Sequence, residues 1–127
     1  MAGYIVNIEE KTEQNENFRE VLFTSPHSQL VVMSLQPNED IGMETHEKVD
    51  QFIRIEAGEG KAVLNGEENL ISDGSAIVIP AGTEHNVINT SNQELKLYTI
   101  YSPPNHRDKT IHKTKAEAEA DTEDIPS

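Results

Sequence analysis

The stretch that decides the fold lies between residues 74 and 89 and reads GSAIVIPAGTEHNVIN. Residues 76–79 have the apolar, β-branched composition of a buried strand, and Pro80 follows them with a preset φ. Gly82 tolerates a positive φ, so the chain is expected to turn sharply into a second strand that begins at His85. The turn therefore places a histidine at the start of a strand.

Short runs of β-branched and aromatic residues recur along the rest of the chain, with turn-forming residues between them. Asn65-Gly66 and Asp73-Gly74 are the sharpest turn signals, because both pairs tolerate positive φ. No segment of about 12 residues or more carries an amphipathic helical stripe, so long helices and a βαβ architecture are not expected. The pattern predicts an all-β sandwich with little helix. The expected strands are residues 4–8, 18–24, 29–35, 51–55, 61–64, 76–79, 86–89 and 94–101.

Length and charge exclude several classes of protein. The chain has 127 residues, no cysteine and a formal net charge of −13, and this length suits one domain. The negative charge repels phosphate backbones and anionic lipids, so nucleic acid and membrane surfaces are not expected partners. Without cysteine, disulfides and thiolate metal sites are excluded. The N-terminus lacks the features of a signal peptide, and a cytoplasmic location is therefore expected.

The C-terminal segment differs in composition from the rest. Residues 116–127 contain five acidic residues and no basic one, which is typical of a solvated tail. The Ala/Glu composition of residues 115–120 allows a turn or two of helix. The expected organisation is a β-sandwich with its N-terminal strands over residues 1–103, followed by a C-terminal extension and acidic tail over residues 104–127.

The stretch between residues 74 and 89 resembles the second sequence motif of the cupin superfamily, Gly-x5-Pro-x-Gly-x2-His-x3-Asn. All five fixed positions match, at Gly74, Pro80, Gly82, His85 and Asn89. The resemblance implies the cupin double-stranded β-helix, a jelly-roll β-sandwich with an interior metal pocket. More narrowly, residues 50–60 and 96–104 are similar to a bacterial group of single-domain cupins often labelled mannose-6-phosphate isomerase-like.

The first cupin motif, Gly-x5-His-x-His-x3-4-Glu-x6-Gly, is present in altered form. His46 and Gly58 match its second histidine and last glycine, whereas Asn38, Glu44 and Gln51 replace the leading glycine, the first histidine and the glutamate. The resemblance implies metal ligation by Glu44, His46, Gln51 and His85.

The altered ligand set keeps a consistent geometry. Glu44 and His46 are two residues apart, so on a strand their side chains share one face, and His85 can meet them only inside a closed sandwich. Two imidazoles, a carboxylate and an amide suit one divalent ion of zinc, manganese, iron, nickel or cobalt, with a position open for water or substrate. Two alternatives stay open: Gln51 either ligates directly or hydrogen-bonds a metal-bound water, and Glu44 is either a ligand or a surface carboxylate.

Two residues near the end of the sandwich are candidates for catalysis. Alternation places Leu97, Thr99 and Tyr101 on one face of the last strand, and amphipathicity favours that face as the interior. Tyr101 then either offers its hydroxyl to a substrate or forms a hydrogen bond within the core. His106 lies in a polar stretch that either folds over the barrel mouth or forms an exit loop. Tyr101 and His106 are the residues to test as the catalytic base.

The cupin resemblance leaves the reaction open, because the fold hosts isomerases, dioxygenases, decarboxylases, lyases and storage proteins. The leading hypothesis is a metal-dependent enzyme that isomerises a small sugar or sugar-derived carbonyl compound. Two histidines and one carboxylate also resemble the ligand set of non-haem iron dioxygenases. A third hypothesis is a non-catalytic module that binds a small ligand. A homodimer is expected, because related small cupins commonly pair their sheets.

Overall fold

The computed structural model describes residues 2–124, which form nine strands and two short helices. The strands make a six-stranded sheet in the order β6-β3-β8-β2-β1-β9 and a three-stranded sheet in the order β5-β4-β7. The strand pairs are antiparallel, as the all-β prediction requires. The elements are α1 (Ile8–Gln14), β1 (Arg19–Thr24), β2 (Gln29–Leu35), β3 (Asp50–Ala57), β4 (Glu59–Leu64), β5 (Glu67–Ser72), β6 (Ala76–Ile79), β7 (His85–Asn89), β8 (Leu95–Ser102), β9 (Ile111–His112) and α2 (Lys115–Ala120).

The core lies between the two sheets, and β3 and β8 supply much of it. Their antiparallel register aligns Gln51 with Tyr101 and Ile53 with Thr99, so these side chains share the inner face. All four are buried, which confirms the inward face predicted for β8. On the inner faces of these two strands, Ile55, Leu95 and Leu97 lie toward one end, and Gln51 and Tyr101 lie toward the other. The candidate site lies at the polar end.

Asn89 ties the end of β7 to two other parts of the chain. It is fully buried, and its amide nitrogen lies 3.1 Å from the carbonyl oxygens of Leu35 and Gln36 and 2.7 Å from that of Gln93. Its amide oxygen accepts from the Ser91 N–H at 3.0 Å. One side chain therefore supplies hydrogen bonds to backbone groups of the turn after β2 and of the turn before β8.

The N-terminal segment differs from the sequence-based expectation. The strand predicted over residues 4–8 is wrong, because the helix α1 begins at Ile8. Asn7 caps that helix by accepting a hydrogen bond from the Glu10 N–H at 3.0 Å. The cap and the acidic first turn favour a helix start here over the β-branched composition of residues 4–8.

The described part of the acidic tail also packs more closely than a solvated tail would. The short helix that the composition of residues 115–120 allows is present as α2, and β9 adds to the edge of β1 with Arg19 opposite His112. Asp124 is buried and accepts hydrogen bonds from His106 and from the Arg107 N–H. A prediction from composition considers the apolar surface that a segment can bury, and it does not detect hydrogen bonds such as those of Asp124. None of the helices within residues 2–124 is long and apolar enough to span a membrane.

Asn89→Ala is expected to lower the free energy of unfolding by about 1–3 kcal/mol, because buried carbonyl groups lose their donor. Urea denaturation monitored by circular dichroism measures the change. Asn69→Ala is the matched control, since Asn69 is exposed and its side chain makes one 3.3 Å hydrogen bond, to the Glu67 carbonyl of its own strand. The effect of this control should stay within about 0.5 kcal/mol. Equal effects of the two substitutions would contradict the tethering role.

Candidate metal centre

Backbone pairing brings the segment that carries Glu44 and His46 against the start of β7. The Glu44 N–H donates to the His85 carbonyl and the His85 N–H donates to the Glu44 carbonyl, both at 2.9 Å. The His46 carbonyl accepts from the Gly82 N–H at 2.8 Å. The sharp turn read from the sequence is therefore bonded directly to the residues expected to ligate metal.

The side chains of Glu44, His46 and His85 converge on one point of the interior. One ligand-type atom from each lies within 4.8 Å of the other two. The Nε2 atom of His46 is 3.6 Å from the Glu44 Oε1 atom, and the two imidazole centroids are 5.3 Å apart. Ligand atoms bonded to one zinc-like ion at about 2.0–2.2 Å lie roughly 3–3.5 Å from each other. The three groups thus sit close to the spacing that one ion requires.

His85 has the hydrogen bonding of a metal-ligating histidine. Its Nδ1 atom is 2.9 Å from the Thr83 carbonyl oxygen, and because a carbonyl only accepts, Nδ1 carries the proton. The Nε2 atom then holds a lone pair, and it is buried with no hydrogen-bond partner among residues 2–124. A backbone carbonyl that holds the second ring nitrogen is the usual orientation of a histidine ligand.

Gln51 presents an oxygen rather than a nitrogen to this interior. Its Nε2 atom donates to the Thr99 hydroxyl oxygen at 3.0 Å, while its Oε1 atom is buried with no hydrogen-bond partner in the described chain. The residue opposite on β8 is Tyr101, whose ring meets the His46 ring edge-on at a centroid distance of 6.1 Å. An amide oxygen and an imidazole nitrogen left without partners are both acceptors, so the donor set fits a divalent cation.

The charge state of Glu44 agrees with this assignment. Burial raises the pKa of Glu44, but the hydrogen bond with His46 and the charges of His46, His85 and Arg19 together lower that pKa below its ordinary value. Glu44 is therefore an ionised carboxylate at neutral pH, which is the form that binds metal.

Tyr101 and His106 are in contact, together with a carboxylate that the sequence did not single out. The Asp124 Oδ2 atom is 2.7 Å from His106 Nδ1, and the Tyr101 hydroxyl is 3.3 Å from His106 Nε2. Burial lowers the pKa of His106 despite the opposing effect of Asp124, and burial raises the pKa of Tyr101. A neutral imidazole thus donates through Nδ1 to Asp124 and accepts a hydrogen bond from the Tyr101 hydroxyl at Nε2.

Sequence reasoning missed Arg19 and treated His112 only as part of a polar stretch. Arg19 is buried at the start of β1, and its Nη1 atom donates to His112 Nδ1 at 3.3 Å. The other ring nitrogen of His112 donates to Asp121 at 2.8 Å, which lowers the pKa of Asp121 to about 2. His112, Asp121 and Asp124 also cluster within ligand distance, but their side chains already bond to protein groups. This second cluster is therefore a hydrogen-bond network.

Similar sequences identify the family of this chain. A family model described as "Cupin domain" matches residues 31–101. The chain belongs to the cupin family. This cupin is 54% identical over 124 residues to the uncharacterized protein YrkC of Bacillus subtilis, covering 92% of this chain and 66% of YrkC. It is 51% identical over 107 residues to the uncharacterized protein L612 of Acanthamoeba polyphaga mimivirus, covering 81% of this chain and 67% of L612. The cupin thus spans about two-thirds of the length of these relatives.

Solved structures agree with the cupin jelly roll. The crystal structure of BH2720 from Bacillus halodurans has 47% identity and a TM-score of 0.91, covering 93% of this chain and 94% of BH2720. That of TT1209 from Thermus thermophilus has 25% identity and a TM-score of 0.69, covering 78% of this chain and 96% of TT1209. A predicted oxalate decarboxylase from Thermotoga maritima has 26% identity and a TM-score of 0.58, covering 60% of this chain and 66% of that protein. These likenesses establish the fold and leave the reaction open.

The cupin is expected to bind close to one divalent ion per chain, and His85→Ala should abolish that binding because it removes a buried imidazole ligand. Gln51→Ala should weaken binding by about 10–100-fold, on the scale of lost supporting contacts. Elemental analysis of protein purified without an affinity tag measures the stoichiometry, and titration calorimetry measures the affinity. His27→Ala, in an exposed loop, is the matched control. Full occupancy in His85→Ala would place the ion elsewhere.

Acidification is expected to loosen the C-terminal segment. The pKa values of His106 and Asp124 lie below their ordinary values of 6.5 and 3.8, so the unfolded chain binds more protons than the folded one. Stability is therefore lost as pH falls, starting below about pH 6.5 and continuing past pH 4. Hydrogen exchange of residues 111–124, corrected for the intrinsic pH dependence, should rise over this range. In Asp124→Asn the same exchange should already be fast at pH 7; protection in wild type that persists to pH 4 would contradict the tether.

Proposed function

We propose that this cupin is a metal-dependent enzyme that isomerises a small sugar or sugar-derived carbonyl compound. The observation that carries the proposal is that candidate metal ligands and a hydrogen-bonded tyrosine–histidine pair lie in one interior. The candidate ligands are Glu44, His46, Gln51 and His85, and the pair is Tyr101 and His106. A divalent ion held by this set would supply Lewis-acid polarisation of a substrate carbonyl or hydroxyl.

Proton handling falls to the chain's own residues. His106 Nε2 accepts from the Tyr101 hydroxyl at 3.3 Å, and Asp124 holds Nδ1 at 2.7 Å. A carboxylate in this position orients the imidazole and stabilises the positive charge that develops when Nε2 takes a proton. The raised pKa of Tyr101 keeps the phenol protonated, so Tyr101 can donate its proton to a substrate oxygen. In this proposal the unprotonated Nε2 atom of His106 takes up the proton that leaves the substrate carbon and passes it to the Tyr101 oxygen, which restores the phenol. Isomerisation moves protons within one molecule and therefore needs no external oxidant.

The choice of isomerisation also rests on the resemblance to single-domain cupins labelled mannose-6-phosphate isomerase-like. Metal-dependent phosphomannose isomerases are similar in ligating zinc with a glutamine, two histidines and a glutamate. Glu44 and Gln51 would occupy swapped places in that set, so the same donor chemistry would be arranged differently here.

We propose a cytoplasmic homodimer that binds a small-molecule substrate as the working form. Support for pairing comes from the edge strands, where Leu70 on β5 is 91% exposed and Val78 on β6 is 67% exposed. Large apolar side chains at a sheet edge favour contact with another surface. Light scattering in solution tests this state, and a monomer mass at micromolar concentration would count against it.

Oxygen chemistry at iron is a second candidate, favoured by one specific observation. Glu44, His46 and His85 form a two-histidine, one-carboxylate group, which is the donor composition of non-haem iron oxygenases. Oxygen consumption by the iron-loaded protein would favour this candidate, whereas turnover with zinc under anaerobic conditions would favour isomerisation. Ligand binding without any turnover would favour a non-catalytic module.

The isomerase proposal predicts metal-dependent exchange of substrate carbon-bound hydrogen with solvent. The metal-loaded cupin, incubated anaerobically in deuterated water with a panel of aldoses, ketoses, sugar phosphates and sugar acids, should incorporate deuterium beside the carbonyl of its substrate. Proton NMR measures the incorporation. Tyr101→Phe and His106→Gln should each slow exchange by about 10²–10⁴-fold, the usual contribution of a positioned acid or base.

Tyr98→Phe is the matched control for Tyr101→Phe. Tyr98 lies on the same strand, but its side chain is only partly buried and faces away from the inner surface. This control should exchange at the wild-type rate. Unchanged exchange in both Tyr101→Phe and His106→Gln would remove these residues from the mechanism, and absence of exchange with every member of the panel would count against isomerisation.

A further inference from the structure

Arg19 is a buried cation without a carboxylate partner among the described residues. It is 8% exposed, and its Nη1 atom donates to a neutral acceptor, the Nδ1 atom of His112. Its Nε atom is buried with no hydrogen-bond partner within residues 2–124. No described carboxylate forms an ion pair with its guanidinium.

The other two arginines of the chain are placed differently. Arg54 lies 3.7 Å from Glu56, and Arg107 lies 2.5 Å from Glu123, with 38% and 61% of their side chains exposed. Water and a carboxylate thus compensate both of these charges, although the Nε atom of Arg54 is also buried without a hydrogen-bond partner among the described residues. Burial of a charge without an ion-pair partner is unfavourable. Arg19 interacts with the charges of Glu44 and Asp124 only beyond ion-pair distance, so its guanidinium can still bind an anion.

Arg19 lies beside the candidate metal centre. Arg19 and Glu44 line the same cavity of about 210 Å³, together with Phe18, Ile41 and residues of α2. The Phe18 ring lies 5.2 Å from the guanidinium carbon, an arrangement that favours a fixed orientation through a cation–π contact. At about 30 Å³ per water molecule, this cavity holds roughly seven waters. The part of a ligand that contacts both groups is therefore small.

We infer that Arg19 binds a carboxylate of the substrate, which makes that substrate a small sugar acid. The inference rests on the proposed function, because it names the substrate class of the same site. The Nε edge of a guanidinium offers two parallel N–H donors that match the two oxygens of a carboxylate. A phosphate would call for further donors, and the cavity's other cation, Lys115, is already paired with Asp40. A single guanidinium edge therefore suits a carboxylate.

Three probes that differ only at carbon 6 test the inference: D-glucuronate, D-glucose and D-glucose 6-phosphate. Titration calorimetry or NMR titration of the metal-loaded cupin should show glucuronate binding at least about tenfold more tightly than glucose. Arg19→Gln should abolish this preference, because a neutral amide replaces the charged guanidinium. Arg19→Lys keeps the positive charge but lacks the two parallel N–H donors, so it should retain only part of the preference for glucuronate. Arg107→Gln, at an exposed arginine, should leave the preference at its wild-type value.

The remaining measurements separate failure of the inference from failure of the proposed function. Thermal melting establishes that each variant is folded, and if Arg19→Gln does not fold, Arg19→Lys supplies the comparison. Metal content is measured for every protein. Absence of bound metal in wild type would overturn the proposed function. Metal bound without a preference for glucuronate over glucose would overturn only the inference, as would a preference for the phosphate or a glucuronate preference that survives in Arg19→Gln.

Discussion

Two backbone hydrogen bonds between Glu44 and His85 hold the polar end of this cupin together. The segment between β2 and β3 has little regular structure of its own, yet it runs along β7 through further bonds, from the Ile41 N–H to Val87 and from the Asn89 N–H to the Glu39 carbonyl. This pairing converts an irregular connection into an additional edge of the small sheet. Because the side chains at the paired positions point inward together, the backbone ladder sets the distance between the expected ligands.

Three of the buried polar atoms without hydrogen-bond partners in the described chain lie near the candidate site and have opposite characters. His85 Nε2 and Gln51 Oε1 are acceptors without partners in the described chain, whereas Arg19 Nε is a donor without one. Buried polar groups in native proteins are almost always hydrogen-bonded, so each exception calls for a physical reason. Acceptors call for a cation and a donor calls for an anion. A divalent ion would be the cation for the two acceptors, and an anionic substrate beside that ion would be the anion for the Arg19 donor.

The C-terminal segment contributes to the interior through polar contacts rather than through apolar burial. Asp124 holds His106 with one carboxylate oxygen and the Arg107 N–H with the other, and Asp121 holds His112. These hydrogen bonds hold His106 and His112, which are both buried, against the sandwich, although the surrounding stretch of chain is rich in charged residues. The orientation of His106, and through it the hydrogen bond of Tyr101, therefore depends on a carboxylate close to the C-terminal end of the described chain.

The sequence by itself determined the features that depend on local chemistry. The turn between residues 80 and 85 follows from a proline with preset φ and a glycine that has φ +85, and two-residue alternation determines which residues of β3 and of β8 share a face. The resemblance to the cupin motifs singled out Glu44, His46 and His85, which the structure brings together.

Only the tertiary structure decided which further side chains face this site. Arg19 and His112 are 93 residues apart and meet because β9 pairs with β1, and Asp124 reaches His106 from a segment whose composition is that of a tail. The physical reason is that alternation divides a strand into two faces without saying which is inside. Partners for a buried charge are chosen by packing between segments far apart in the chain.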